Sequence, residues 1–269
     1  MQDRAEDAPA VAAAPHGDDA APDRRSHLAQ PATWSARLGA GFVGALEWLN
    51  ARASKVGDEP VFDNARFPWV DEVERDWPSI RSDLDRVLER RSQLPSFHEV
   101  AADVGRISQD DQWKTYFLYG LGRPMAKNCA FCPDTARILE RIPGLVTAFF
   151  SILAPGKRIP LHRGPFNGVL RYHLGLRVPR ERERCWIRIG GERRTWTEGE
   201  SLVFDDSFNH EVHNDTDEYR AILFVDFLRP LHFPVGLLNR GLIGALRFAP
   251  GLRRSKAWHE TWETEFHDG

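Results

Sequence analysis

Apolar and polar positions divide this chain into stretches of different period. Residues 1–32 hold almost no large apolar side chain and are rich in Ala, Pro and Asp. Such a segment cannot bury enough surface to offset its ordering entropy, so a disordered tail is expected. From Trp34 the pattern changes: Leu38, Phe42, Leu46 and Leu49 recur at helical spacing, and Gly57 offers a stop. Packing of this helix on the core is preferred to contact with a membrane or partner. Pro78 suits the first turn of a second helix, whose apolar stripe is Ile80, Leu84, Val87 and Leu88. Asp134 precedes a third, short helix carrying Ile138 and Leu139 and ended by Pro143-Gly144.

Elsewhere the period falls to that of strands. Residues 113–119 form an aromatic-rich run bounded by Gly120. Further short runs follow at 146–153, 169–176, 185–189, 194–197, 201–204, 211–213 and 219–227, with Ala154-Pro155-Gly156, Pro179 and Gly190-Gly191 among the turn signals between them. Many short strands at this spacing predict a sandwich or barrel, here a jelly roll. With helices gathered ahead of the strands, the expected class is α+β: a double-stranded β-helix core, cupin-like, with N-terminal helices packed on one face. The expected divisions are a tail at 1–32, a helical region at 33–110, the barrel at 111–230 and an extension at 231–269. In that extension no acidic residue occurs between Phe227 and His259, while Arg229, Arg240, Arg247, Arg253, Arg254 and Lys256 alternate with Leu, Phe and Trp. It reads as a helix buried on the barrel, with peripheral contact to an anionic membrane as the alternative.

Composition changes this picture in three ways. A formal net charge of −3 over 269 residues argues against nucleic acid as a partner. The three cysteines, Cys129, Cys132 and Cys185, give no disulfide framework. With neither a signal-peptide layout nor an apolar run long enough to span a bilayer, the expected location is cytoplasmic, with the inner membrane face as the peripheral site. A lone Cys129-x-x-Cys132 is a weak zinc or redox signal and is read as core packing.

The candidate chemistry lies on the strands. His162 follows a turn, His173 lies within a strand, and His210 stands between two strands. Two imidazoles from separate strands suit Fe, Zn or Cu, although histidines near strand ends are usually turn residues. Arg171 and Arg220 are embedded in apolar runs, where a guanidinium must be paired or face a polar cavity. A small dicarboxylate would answer both, with Ser151 supplying a hydroxyl. Pairing with protein acids such as Asp226 or Asp206 is the alternative.

Three segments carry a resemblance. The run from His162-Arg163-Gly164-Pro165 to Arg171-Tyr172-His173, the run Gly199-Glu200-Ser201 through Asp205-Asp206-Ser207-Phe208-Asn209-His210, and Tyr219-Arg220-Ala221-Ile222 resemble, in order and spacing, the aspartyl/asparaginyl β-hydroxylase family. Bacterial relatives that hydroxylate acyl chains of lipid A or ornithine lipids share much of the pattern. The resemblance covers about 113–230 and implies a dioxygenase using Fe(II), 2-oxoglutarate and O2. His162 and His210 would be the metal ligands, and Arg220 with Ser151 would hold the far carboxylate of 2-oxoglutarate. Arg171 and His173 would hold its oxoacid end or a polar substrate group. Most such enzymes add a carboxylate two residues after the first histidine; here that residue is Gly164. The glycine leans toward the animal aspartyl type, so an Asp or Asn side chain in a peptide or amino acid is the first expected substrate and a lipid acyl chain the second. Asp206 would orient a water in the open position, or would be an ordinary turn residue. Chloride binding with halogenation, lost activity and a non-catalytic binding module are the other readings.

Overall fold

The computed structural model describes residues 34–100, 107–246 and 261–267. Among them, eleven strands form two antiparallel sheets. The larger runs β1 (Val61–Phe62), β9 (Ser201–Phe204), β6 (Val169–Arg177), β11 (Arg220–Leu228), β4 (Leu145–Leu153), β2 (Trp113–Gly120), β3 (Arg123–Pro124). The smaller runs β5 (Arg158–His162), β10 (His210–Asn214), β7 (Cys185–Ile189), β8 (Glu192–Thr195). Strands β4 to β11 divide four and four between the sheets. The chain crosses repeatedly from one to the other, which is the double-stranded β-helix expected from the strand pattern.

The helices are α1 (Trp34–Ala53), α2 (Val70–Arg75), α3 (Trp77–Leu88), α4 (Phe97–Val100), α5 (Ala126–Phe131), α6 (Pro133–Leu139), α7 (Val235–Leu246) and α8 (261–267). On the outer face of the larger sheet, Phe150, Ile152, Leu174 and Leu223 share a core with Ile80, Leu84 and Val87 of α3 and Ile138 and Leu139 of α6. A second core fills the space between the sheets with Phe149, Leu153, Ile187, Phe204, Ile222 and Phe224. Both faces of β4, β6 and β11 are therefore covered, which explains their nearly unbroken apolar sequences. The period of two still sorts the side chains. Leu170, Tyr172 and Leu174 of β6 and Ala221, Leu223 and Val225 of β11 belong to the helix-covered core. Arg171, His173, Arg220 and Asp226 occupy the alternate positions of the same strands, on the barrel side.

Several elements differ from the sequence reading. β5 was not expected, because it is short, half exposed and interrupted by Pro160. It is an edge strand, where a residue without an N–H is tolerated. His162 therefore ends a strand, and His210 opens one. Asp134 lies inside the first turn of α6, whose cap is Cys132. α1 stops at Ala53, ahead of Gly57, and it does not simply lay its apolar stripe on the core. Phe42 is exposed, while Glu47 and Asn50 are buried, because partners for both await them on the barrel (below). Residues 1–32 lie outside the described residues, as do Arg247, Arg253, Arg254 and Lys256. Of the extension, α8 follows the expectation of burial: Trp262 and Phe266 pack against Tyr116 with ring centroids 6.0 and 5.6 Å away. Cys132 and Cys185 are buried free thiols, and Cys129 is a half-buried one whose Sγ donates to the Leu118 carbonyl.

Candidate active site

β5 and β10 are paired so that His162 and His210 stand directly opposite each other. Their ring centroids are 4.1 Å apart. Each ring turns its Nδ1 to a backbone carbonyl two residues upstream, Pro160 O at 2.8 Å and Phe208 O at 2.9 Å. A carbonyl can only accept, so each Nδ1 carries the proton and each Nε2 the lone pair, the tautomer a metal-binding histidine needs. Burial holds both rings neutral: it pulls His162 down to about 4 and His210 well below the usual imidazole range.

Beside the pair, Gly164 and Asp206 are joined by a 2.7 Å hydrogen bond from the Gly164 N–H to the Asp206 carbonyl. A Cβ added at Gly164 would land on the Asp206 carboxylate. That carboxylate thus fills the space a side chain at position 164 would need. The turn role open to Asp206 falls to Asp205, whose Oδ1 accepts from the Ser207 N–H at 2.9 Å. Asp206 points inward, with Oδ2 2.8 Å from the Arg171 guanidinium; Oδ1, fully buried, has no hydrogen-bond partner. Burial pushes its carboxyl up to about 7 against the pull of Arg171.

Arg171 is shared. Its Nε donates to Asp226 Oδ1 at 2.9 Å, and its side chain lies over the Phe224 ring at 4.2 Å. The protein-acid alternative is thus the arrangement found for Arg171. One cation serves two carboxylates, the buried Asp206 and the half-buried Asp226, beside two imidazole lone pairs. That donor set fits a divalent cation of intermediate softness. Among the described residues no group of three or more His, Cys, Asp or Glu is placed to ligate one ion, so the imidazole pair would carry the protein's share and leave the remaining positions open.

Arg220 differs. It is fully buried, sits 4.6 Å over the Trp196 ring, and has as polar partners the Ser151 carbonyl at a long 3.5 Å and the Cys185 thiol, which burial keeps neutral; its Nε has no partner. No carboxylate forms an ion pair with it among the described residues. Burial pulls its pKa down to about 10. Ser151 is one strand away, its Oγ accepting from Trp113 Nε1 at 3.0 Å. His173 lies among Phe204, Phe224 and Trp196, with both ring nitrogens buried and unpartnered. Burial first, then Arg220, drives its pKa well below the usual range. Native proteins seldom leave so many buried polar atoms unsatisfied, at about 1–3 kcal/mol each, unless a ligand answers them. A separate cavity of about 500 Å³ opens between the β1–β9 edge and β8, and Trp196 forms part of its wall.

The structure thus brings together all seven residues singled out from the sequence, in two groups. His162, His210, Asp206 and Arg171 form one, and Arg220, Ser151 and His173 the other. Sequence reasoning missed Trp113 and Trp196, which orient Ser151 and Arg220. Indole rings at strand ends carry no local signal separating them from core residues.

A jelly roll whose interior carries imidazoles, carboxylates and guanidinium groups among its apolar residues is fitted to hold a metal ion or a polar ligand. Comparison with known proteins identifies the family. The family described as Aspartyl/Asparaginyl beta-hydroxylase matches residues 74–230, and the chain belongs to it; it is a hydroxylase. It is 44% identical over 229 residues to the ornithine lipid ester-linked acyl 2-hydroxylase of Rhizobium tropici, covering 84% of this chain and 82% of that protein. To the human aspartyl/asparaginyl beta-hydroxylase it is 34% identical over 166 residues, 60% of this chain and 21% of that much longer protein. Among solved structures, a cupin 2 conserved barrel domain protein from Salinispora arenicola is similar at 15% identity, with a TM-score of 0.30 and 58% of this chain and 93% of that one covered.

Proposed function

We propose that the protein is an Fe(II)- and 2-oxoglutarate-dependent dioxygenase that hydroxylates the fatty-acyl chain of an ornithine-type lipid. The observation that carries the cofactor reading is Arg220, a buried guanidinium without an acid partner. A buried uncompensated charge is costly, and a carboxylate brought by a co-substrate is the anion that would relieve it. Ser151 stands beside it to donate a hydroxyl hydrogen bond, and His173, whose ring nitrogens are buried and unpartnered, offers an imidazole nitrogen on the neighbouring strand. His162 and His210 would hold the iron through Nε2. When bound, iron with 2-oxoglutarate and O2 supplies the oxidant for an unactivated C–H and releases succinate and CO2. Asp206, held by Arg171 in the space beside Gly164, would accept a hydrogen bond from a water at the metal.

The substrate order differs from the one expected from Gly164. Because Asp206 fills the space beside that glycine, position 164 does not by itself separate peptide from lipid substrates. The relative named for acyl hydroxylation is the more similar over more of the chain. Hydroxylation of an Asp or Asn β-carbon is the second reading, supported by the human relative.

The test is anaerobic addition of Fe(II) and 2-oxoglutarate, read by the weak visible charge-transfer band of the chelate. Turnover on ornithine lipid and on Asp-containing peptides follows, with succinate and hydroxylated product measured. His210→Ala should lose both band and product. Succinate release undiminished in that variant would refute the ligand assignment; product from peptide but not lipid would overturn the substrate.

A further inference from the structure

α1 and α7 are amphipathic in the sense opposite to that of ordinary surface helices. Their buried residues are polar. Glu47 Oε1 meets Arg163 Nη2 at 2.5 Å, Asn50 Nδ2 donates to Asn167 Oδ1 at 3.1 Å, and Asn239 Nδ2 donates to the Gly168 carbonyl at 2.7 Å. Their outward residues are apolar: Phe42, Trp48, Leu237 and Leu238 are between 54% and 65% exposed, and Phe233, just ahead of α7, is 84% exposed. Among the described residues only one other large apolar side chain is exposed, Leu161, the neighbour of His162. Among the described residues, exposed apolar surface is therefore concentrated on α1, α7 and the residue ahead of α7, two helices that touch each other, and a patch of that kind marks an interaction site.

The two helices act as one unit. The Lys55 N–H donates to the Pro230 carbonyl at 2.9 Å, and the His232 N–H donates to that of Ala53 at 2.8 Å. Together they clamp residues 163–168, the segment that follows His162 (above). The exposed charges on the two helices, Arg52 and Arg240, are cationic, as is Lys55 two residues past α1; the acids that follow, Asp58 and Glu59, are each tied to an arginine, Arg229 and Arg66. Arg52 lies 5.2 Å over the Trp48 ring, a pairing suited to a membrane interface, where an indole sits at headgroup depth and a cation reaches the phosphates. No helix among the described residues is long and apolar enough to cross a bilayer, so the surface suits contact with a bilayer from one side.

We propose that α1, α7 and Phe233 form a docking platform for an anionic phospholipid surface, which sets the His162 end of the barrel against the acyl layer. The proposal extends the lipid-hydroxylase reading and rests on it for the purpose of the contact, though not for the contact itself. The occupant is an anionic bilayer because the face is apolar at its centre and cationic in its charges.

Full-length protein loaded with Fe(II) and 2-oxoglutarate under anaerobic conditions is floated with phosphatidylglycerol/phosphatidylethanolamine vesicles and with pure phosphatidylcholine vesicles. Binding is expected to the anionic vesicles and to weaken with salt. The triple variant Trp48→Ser/Phe233→Ser/Leu237→Ser should bind at least tenfold less while keeping its melting temperature and its charge-transfer band. Arg52→Gln/Lys55→Gln/Arg240→Gln should remove the preference for anionic vesicles. Absence of wild-type binding, equal binding by the triple variant, or a wild-type dimer that the same substitutions convert to monomer would each overturn the platform. Vesicle binding without hydroxylation of any lipid would leave the platform standing and remove the substrate reading. Hydroxylation of detergent-dispersed lipid without vesicle binding would do the reverse.

Discussion

At the scale of single residues, the site depends on two positions where a side chain's meaning comes from what faces it. Gly164 reads as a missing ligand until Asp206 is seen occupying its side-chain space. Gly164→Asp should therefore crowd two carboxylates together and lower turnover by more than tenfold, and adding Asp206→Gly should recover part of that loss, since the two positions share one volume. A Gly164→Asp single variant as active as wild type would contradict the overlap. Arg220 is the second position. Its pKa, drawn down by burial, marks a base whose charged form is disfavoured in the folded state and which costs stability at neutral pH. Arg220→Met should raise the melting temperature of the ligand-free protein by a few degrees, as replacement of a poorly compensated buried charge by an apolar side chain often does. The same variant should abolish thermal stabilisation by 2-oxoglutarate. A lower melting temperature would mean that the guanidinium is satisfied by the protein itself.

At the scale of elements, the period of two placed most strands within a residue or two. β5 escaped because a proline and exposed positions erase the strand signal in five residues. The helical period identified α1 but could not say which face turns inward: partners on the barrel reverse the ordinary rule for Glu47 and Asn50. Elements near the site are fastened by Arg229, just past β11. Its guanidinium binds Asp205 at 2.7 Å with neither side chain exposed, and it also reaches the Gly57 carbonyl at 2.6 Å and Ser54 Oγ at 3.2 Å. Arg229→Met would remove the cation paired with the buried Asp205 carboxylate, with an expected loss of about 3–5 kcal/mol in denaturant unfolding. Arg229→Met/Asp205→Asn, which keeps an acceptor for the Ser207 N–H, should lose less than the single change. A double variant as unstable as the sum of its parts would show that the pair is not the fastening.

At the scale of the whole molecule, one sheet separates two cores. Helices α3 and α6 seal its outer face, so the inner face is free to carry polar groups between the sheets without exposing apolar surface. The division of labour explains why a chain with an ordinary composition can keep several buried polar atoms unpartnered: the helix-covered core supplies apolar burial, and the barrel interior is available for ligands. The net charge of −3 describes the molecule poorly at this scale, since the exposed charges of α1 and α7 are cationic and local. Exclusion of nucleic acid by net charge and contact with an anionic membrane are therefore compatible expectations, because attraction across a Debye length of about 8–10 Å is decided by the nearest patch.

The sequence by itself determined the fold class, the order of the main strands and the identity of the family, because alternation, turn residues and long motifs are local properties of the chain. It also singled out Arg171 and Arg220, since each interrupts an apolar run, and through the family motifs the other polar residues of the barrel. Only the tertiary structure decided that His162 and His210 face each other, that Asp206 stands in for the side chain absent at Gly164, that Arg171 is neutralised by acids while Arg220 is not, and that α1 and α7 turn apolar faces outward. Those facts depend on residues brought together by sheet closure from distant parts of the chain, and no local pattern encodes which of them will meet.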